Sequence, residues 1–151
     1  MEIRRADAAE ADVLAELWLR SRRAAVPAVP AAVHTDAEVH RWIEEAVFPS
    51  SEVWVADRGG QVVALMVLDG RWLDQLYVEP TSVGGGIGGA MLDVAKCLRP
   101  AGLSLWTFET NDRARRFYES HGFVATGGTA GDNEEQAPDV RYDWRPPASP
   151  R

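Results

Sequence analysis

Two clusters of residues carry the types and spacings that chemistry needs. In the first, Gly84, Gly85, Gly86, Gly88 and Gly89 surround Ile87. An apolar run of Leu73, Leu76, Tyr77 and Val78 precedes them and Pro80 closes it; Ala90, Met91, Leu92, Val94 and Ala95 follow. The pattern reads as a strand, a turn and a buried helix. Glycines at such a junction let backbone N–H groups approach an anion closely, and the helix N-terminus adds the positive end of its dipole. A phosphate-binding turn is the first expectation. A glycine hinge without a ligand is the alternative, and it leaves the entropic cost of so many glycines unexplained. In the second cluster Asn111 caps a helix, NDRARRFYESH, which Gly122 ends. Ala114, Phe117 and His121 share one face of it, with Phe117 a core residue. Tyr118 is offset from that face, so that its hydroxyl could reach an opening in the sheet. Read alone, Tyr118 is more readily a half-buried tyrosine with a satisfied hydroxyl than an acid.

Three kinds of glycine loop compete for the first cluster. A nucleoside-triphosphate loop needs Gly-Lys followed by Ser or Thr, a pair the sequence lacks. The dinucleotide fingerprint G-x-G-x-x-G matches at Gly84, Gly86 and Gly89, with Glu109 at the usual offset. In that fingerprint the first glycine follows its strand directly, whereas here residues 79–83, Pro80 among them, intervene. A dinucleotide-binding redox protein is therefore the weaker alternative. Val78, Pro80, Gly84, Gly86, Ile87, Gly88 and Leu92 resemble motif A of the GNAT (Gcn5-related N-acetyltransferase) family. The resemblance implies that the turn cradles the pyrophosphate of acetyl-coenzyme A. That family's motif usually starts with Gln or Arg and carries a basic residue between its first glycines. Val83 and Gly85 stand there instead, which implies two missing phosphate contacts and weaker cofactor affinity.

The second cluster, Asn111, Ala114, Phe117, Tyr118, Glu119, Gly122 and Phe123, is similar to motif B of the same family. The resemblance implies that Tyr118 donates a proton to the departing thiolate and that Asn111 contacts the pantetheine arm. It implies a cofactor-binding set of Leu76, Tyr77 and Val78 on the central strand and residues 83–89 in the turn. Asn111, Ala114, Arg115, Phe117 and Tyr118 complete that set on the following helix. Acyl transfer to an amine asks for a neutral amine, a polarised thioester carbonyl and an acid for the thiolate. In the family a backbone N–H at a bulge of the central strand polarises the carbonyl, here near Leu76, Tyr77 and Val78.

The base is open. By period-two alternation Trp72 and Asp74 share a strand face with Leu76 and Val78. This makes Asp74 the nearest carboxylate to the expected reaction centre, or else an exposed aspartate beside a turn. Glu109 is the second candidate. Arg113, Arg115 and Arg116 form a run of the kind that is usually a solvated face. Arg115 follows the motif alanine and is the one expected at the cofactor's phosphates. His34, in the loop between the first two helices, is a weak acceptor-side candidate. The acidic segment with Asn133, Glu134, Glu135 and Asp139 could meet a cationic acceptor.

These residues need a scaffold, and the order of elements supplies one. Residues 2–6 open as a strand. Asp7 with Glu10 and Thr35 with Glu38 form capping boxes for two helices. The first carries Val13, Leu14, Leu17, Trp18 and Ser21 inward; the second carries Val39, Trp42, Ile43, Ala46 and Val47 and ends at Pro49. Strands follow at 52–56, 61–68 and 73–78, then the glycine helix, a strand at 103–108 and the tyrosine helix. A strand starts at 123–125, a polar loop spans 126–138, and a last strand covers 140–144. The fold class is α/β (α+β), one domain over 1–145 with a loose tail at 146–151. The resemblance implies a mixed, mostly antiparallel sheet flanked by helices.

Length and composition agree: 151 residues, 46% hydrophobic and 26% charged, suit a globular domain. A single cysteine, Cys97, excludes an internal disulfide and a cysteine-rich zinc site, so no metal is expected. A net charge of −7 argues against a nucleic-acid partner. No apolar run suggests a membrane, and a cytoplasmic location follows. The expected protein is an N-acetyltransferase moving an acetyl group from acetyl-coenzyme A to an amine of a small molecule or protein, with a homodimer as a possible assembly. The alternative in another class is an acyl-coenzyme A-binding module without catalysis.

Overall fold

The computed structural model describes residues 1–148; of the tail expected at 146–151, residues 149–151 lie outside the described residues. The strands are β1 (Glu2–Arg5), β2 (Glu52–Arg58), β3 (Gln61–Asp69), β4 (Trp72–Val78), β5 (Leu103–Phe108), β6 (Val124–Thr129) and β7 (Asp139–Trp144). The helices are α1 (Ala11–Ala25), α2 (Asp36–Trp42), α3 (Phe48–Ser50), α4 (Ile87–Leu98) and α5 (Asp112–Ser120). The strands form one sheet in the order β1-β2-β3-β4-β5-β7-β6. Each neighbouring pair is antiparallel except β4 with β5. This is the mixed, mostly antiparallel sheet that the resemblance implies.

Helices cover both faces, and the sequence of β3 shows why. Leu65 and Val67 point into a core built by α1 and α2, with Leu14, Leu17, Trp18, Val39 and Ile43. Ala64, Met66 and Leu68 point the other way, into a core under α4 and α5 with Met91, Leu92, Tyr118 and Phe123. A strand buried on both faces has no polar alternate residues, hence the unbroken VVALMVL.

Both capping boxes form: Glu10 accepts from the Asp7 amide at 2.8 Å, and Glu38 accepts from the Thr35 amide at 3.0 Å. Each cap contributes about 1 kcal/mol. Of the inward set expected on α1, Leu14, Leu17, Trp18 and Ser21 are buried but Val13 is 52% exposed. The small residues Ala11 and Ala15 fit against the sheet and draw the buried stripe to the other side of Leu14. In the second helix Val39, Ile43 and Val47 are buried while Ala46 faces solvent and Trp42 is partly exposed. That helix does not run as one piece to Pro49. It loosens into a π turn at Ile43–Val47, and Pro49 sits within α3. The polar loop expected from residue 126 starts later, because β6 continues through two glycines to Thr129 and pairs with β7 along its length.

Candidate active site

A cleft of about 1360 Å³ opens where β4 and β5, the parallel pair, separate. The two strands register at Trp72↔Ser104, where the Ser104 amide donates to the Arg71 carbonyl at 2.9 Å. Beyond that point β5 keeps β7 and β4 keeps β3. Backbone groups of residues 73–78 on the β5 side are left for a ligand.

On its β3 side, β4 carries a bulge. Leu73 pairs with Leu68 and Gln75 with Val67, which leaves Asp74 as the extra residue. An inserted residue reverses the alternation. Leu73, Leu76 and Val78 pack with the core under α4. Gln75 and Tyr77 face α1: Gln75 Oε1 accepts from Trp18 Nε1 at 3.0 Å, and the Tyr77 ring meets Trp18 edge-on at 6.0 Å. The common face expected for Trp72, Asp74, Leu76 and Val78 is therefore split at Asp74, since period-two counting cannot register an insertion. The bulge falls at Asp74 rather than at Leu76, Tyr77 and Val78. All of residues 73–78 nevertheless line the cleft.

The glycines divide into two groups. Gly84 and Gly86 have φ of 91° and 84°, in the left-handed region, and a Cβ at either would meet nothing within 4 Å. They are needed for backbone conformation, and the space around them is open. Gly86 is the N-cap of the 12-residue α4 and offers no side-chain cap. An open, left-handed turn at a helix N-terminus fits a phosphate group. Gly88 and Gly89 serve packing. A Cβ on Gly88 would lie 3.4 Å from Phe117 Cζ, and one on Gly89 would lie 3.3 Å from His121 Cε1. Their absence of side chain lets α5 close against α4. Val83, Gly84, Gly86, Ile87, Gly88 and Gly89 line the cleft; Gly85 does not.

The tyrosine helix brings most of its expected residues to the same cleft. Asn111 Oδ1 accepts from the Ala114 amide at 3.2 Å, so the side-chain carbonyl caps α5 and the amide NH2 remains for the cleft. Ala114, Phe117 and Tyr118 line the wall. Their burial reverses the expected order: Tyr118 is in the core and Phe117 is half-buried. The Tyr118 ring is fixed by packing, with Phe117 at 5.2 Å, Phe123 at 5.5 Å and Tyr142 at 6.5 Å between centroids. Burial, with the nearby Tyr77 hydroxyl, pushes the Tyr118 hydroxyl well above the usual tyrosine range and keeps it protonated. Burial raises Tyr77 as well, against an opposing pull from the Arg22 charge.

Asp74 also lines the cleft. Desolvation at the bulge, then the charge of Asp69, hold its carboxyl above the ordinary aspartate value. That shift makes it a better base. Glu109 does not line the cleft; its carbonyl accepts from Arg115 Nη1 at 3.1 Å.

Arg115, expected at the cofactor's phosphates, is turned elsewhere. Its Nε donates to the Tyr142 hydroxyl at 3.0 Å, and that hydroxyl donates to Glu119 Oε2 at 2.6 Å. Arg113, two residues earlier on the helix, lines the cleft in its place. The helical turn decides which member of an arginine run faces a ligand, and residue type alone does not. Sequence reasoning also passed over Gln75, Trp106 and Phe108 in the cleft wall; His121, read as sharing a helix face with Ala114 and Phe117, joins them there. Trp106 could have been noticed, being a tryptophan on a strand and 45% exposed. Among the described residues no three His, Cys, Asp or Glu side chains come together to hold a metal ion. No helix among them is long and apolar enough to cross a membrane.

The same architecture occurs in proteins of known kind. The acetyltransferase (GNAT) domain family matches residues 49–125. Peptidyl-lysine N-acetyltransferase YjaB of Escherichia coli is 30% identical over 128 residues, 84% of either chain. Peptidyl-lysine N-acetyltransferase YiaC of the same organism is 28% identical over 143 residues, 94% of this chain and 95% of that one. The solution structure of apo YjaB matches at a TM-score of 0.78 with 27% identity, covering 95% of this chain and 96% of that one. The structure of yncA from Salmonella typhimurium with its cofactor acetyl-CoA matches at 0.68 with 20% identity, over 100% and 98%. The chain belongs to the GNAT acetyltransferase family. Its co-substrate is acetyl-coenzyme A and its reaction is acetyl transfer to an amine. The dinucleotide alternative falls with the fold, which has one parallel strand pair in place of a parallel doubly wound sheet.

Proposed function

We propose that this protein acetylates the ε-amino group of a lysine in a protein, with Asp74 as the base and Tyr118 as the acid. The observation that carries the reading is the cleft between the parted strands β4 and β5, into which the bulge puts Asp74 and α5 puts Tyr118. Asp74, exposed on the cleft wall but partly desolvated and so raised, takes the proton that an ammonium must lose before its nitrogen can attack. The free backbone N–H groups of β4 face the position where negative charge grows on the acetyl oxygen. Tyr118, kept protonated, gives its proton to the departing thiolate.

The glycine turn at Gly84 and Gly86 holds the pyrophosphate, and Arg113 replaces Arg115 as the side chain offered to phosphate. Asn111, through its free amide NH2, and the Phe117 face hold the pantetheine arm. A protein lysine is favoured as acceptor because two relatives are peptidyl-lysine acetyltransferases and because Asp74, Asp132 and Asp139 line the cleft against Arg113, an acidic balance. The free, exposed Cys97 suits a reducing cytoplasm.

The test is thiol release from acetyl-coenzyme A with lysyl peptides, beside a thermal melt with acetyl-coenzyme A alone. Binding of the co-substrate should raise the Tm by mass action. Release that depends on the lysine ε-amine supports the reading. A raised Tm with no release for any amine would leave an acyl-coenzyme A-binding module instead.

A further inference from the structure

Arg22, near the C-terminal end of α1, is a cation that the fold buries without fully satisfying. It is 8% exposed, with its guanidinium 4.9 Å from the Trp18 ring centroid and 5.8 Å from that of Phe108. Its Nη2 donates to the Pro30 carbonyl at 3.2 Å and to Glu135 Oε1 at 3.4 Å. Its Nε is the one buried side-chain polar atom without a hydrogen-bond partner among the described residues. A buried cation held by long and incomplete bonds is a poor source of stability, so its use lies elsewhere.

What the position supplies is connection. Through this one group α1 holds the loop 26–35 at Pro30, β5 at Phe108 and the loop 130–138 at Glu135, and its charge also bears on the Tyr77 hydroxyl of β4. Two further ties run alongside: Thr110 Oγ1 donates to the Ala28 carbonyl at 2.7 Å, and His34 Nε2 meets Glu134 Oε2 at 2.9 Å. The segments between these ties line the cleft, residues 26–29 from one loop and Asp132 with Asn133 from the other. In the reading above the glycine turn and Asn111 take the cofactor, which leaves these segments of the cleft wall for the acceptor. Glu134 and Glu135 thus act as ties, and Asp132 is the carboxylate of this loop tip that faces the cleft.

We propose that Arg22 is a specificity-determining residue for the acceptor. By latching loop 26–35 to loop 130–138, it narrows the acceptor end of the cleft to an unbranched alkyl-ammonium chain such as a lysine side chain. This deepens the lysine reading above and rests on it. The latch pair is largely enclosed, with side-chain exposures of 9% and 16%. Removing either partner leaves the other charge buried and unpaired, and the loops separate to hydrate it. A wider mouth then admits amines on branched carbons and holds the slender chain less well.

The experiment measures kcat/KM for a lysyl peptide and for cyclohexylamine in the wild type, Arg22→Met and Glu135→Gln. Thiol release from acetyl-coenzyme A is the signal. Both variants should lower the lysyl-to-cyclohexyl ratio by about tenfold or more, the scale on which pocket shape discriminates. The change should appear in the amine KM, with the KM for acetyl-coenzyme A unmoved. Should Arg22→Met fail to melt cooperatively, Glu135→Gln on its loop carries the comparison. A ratio equal to that of the wild type in a folded variant overturns the latch while leaving lysine acetylation intact. A wild type that releases thiol with cyclohexylamine as readily as with the lysyl peptide also overturns it. Absence of release with every amine overturns the acetyl-transfer reading, and the latch with it.

Discussion

The two ends of the cleft are built in different ways. The end proposed for the cofactor consists of short-range devices. Gly84 and Gly86 turn the chain, Gly86 starts α4, and Asn111 caps α5 through the amide three residues on. The end proposed for the acceptor consists of contacts between residues far apart in the chain. Arg22 holds Glu135, Thr110 holds Ala28 and His34 holds Glu134. The first end needs particular residue types at particular spacings. The second needs only complementary partners brought together by the rest of the fold.

The largest effect should come from breaking the cofactor end at its turn. Gly86→Val puts a β-branched residue at a φ of 84°, which costs roughly 1–2 kcal/mol in backbone strain and aims side-chain atoms into the open cradle. The fold, with its two cores, should survive. The rise in Tm with acetyl-coenzyme A and all thiol release should be lost. A variant that still binds acetyl-coenzyme A normally would move the pyrophosphate site away from this turn.

Next in size is Tyr118→Phe, which removes one hydroxyl and keeps the ring packing. A fall in kcat of about 10²-fold is expected, the low end for a positioned acid. The KM for acetyl-coenzyme A should hold, because the hydroxyl acts in the transition state. Burial lifts the hydroxyl so far that its ionisation lies beyond the pH range of an assay. The variant should therefore lower the rate profile without changing its shape. A rise in KM alone would make the hydroxyl a cofactor contact.

Asp74→Asn should cost less, about tenfold in kcat/KM for the amine, below the usual range for a general base because water at this partly open carboxylate can also carry the proton. The sign of the pH effect follows from the raised pKa. The base works when deprotonated, so wild-type activity falls as pH drops through a value above the ordinary aspartate pKa. That limb should vanish in the variant. If it persists, another group is the base.

The contrast between the two ends also explains what could be read from the sequence. Motif residues at the cofactor end are visible because their function is carried by local geometry. Even there, Arg113 lines the cleft while Arg115 is held by the Tyr142 hydroxyl of a distant strand, a contact that the sequence does not mark. The strands were visible from apolar runs, but the bulge at Asp74 was not, because an inserted residue leaves no mark on composition or spacing. Arg22 gave no signal at all. Its role comes from Pro30, Phe108 and Glu135, which the fold alone assembles.

The smallest effect sharpens the contrast most, because it should touch one end and spare the other. His34 Nε2 lies 2.9 Å from Glu134 and Nδ1 3.5 Å from Glu38, and these neighbours raise its pKa, Glu134 contributing most. The charged tie between the two loops is present below the raised value and is lost as pH climbs through it. The amine KM should rise across that window after correction for the amine's own ionisation. The KM for acetyl-coenzyme A, set at the glycine turn, should stay flat. His34→Gln should remove this pH dependence and give an amine KM near the high-pH value of the wild type at every pH. Because the pair is exposed and screened by salt, the change should be about twofold, and smaller at high ionic strength. An acetyl-coenzyme A KM that moves in parallel would mean that the two ends of the cleft are mechanically coupled, and that their separate construction does not give them separate behaviour.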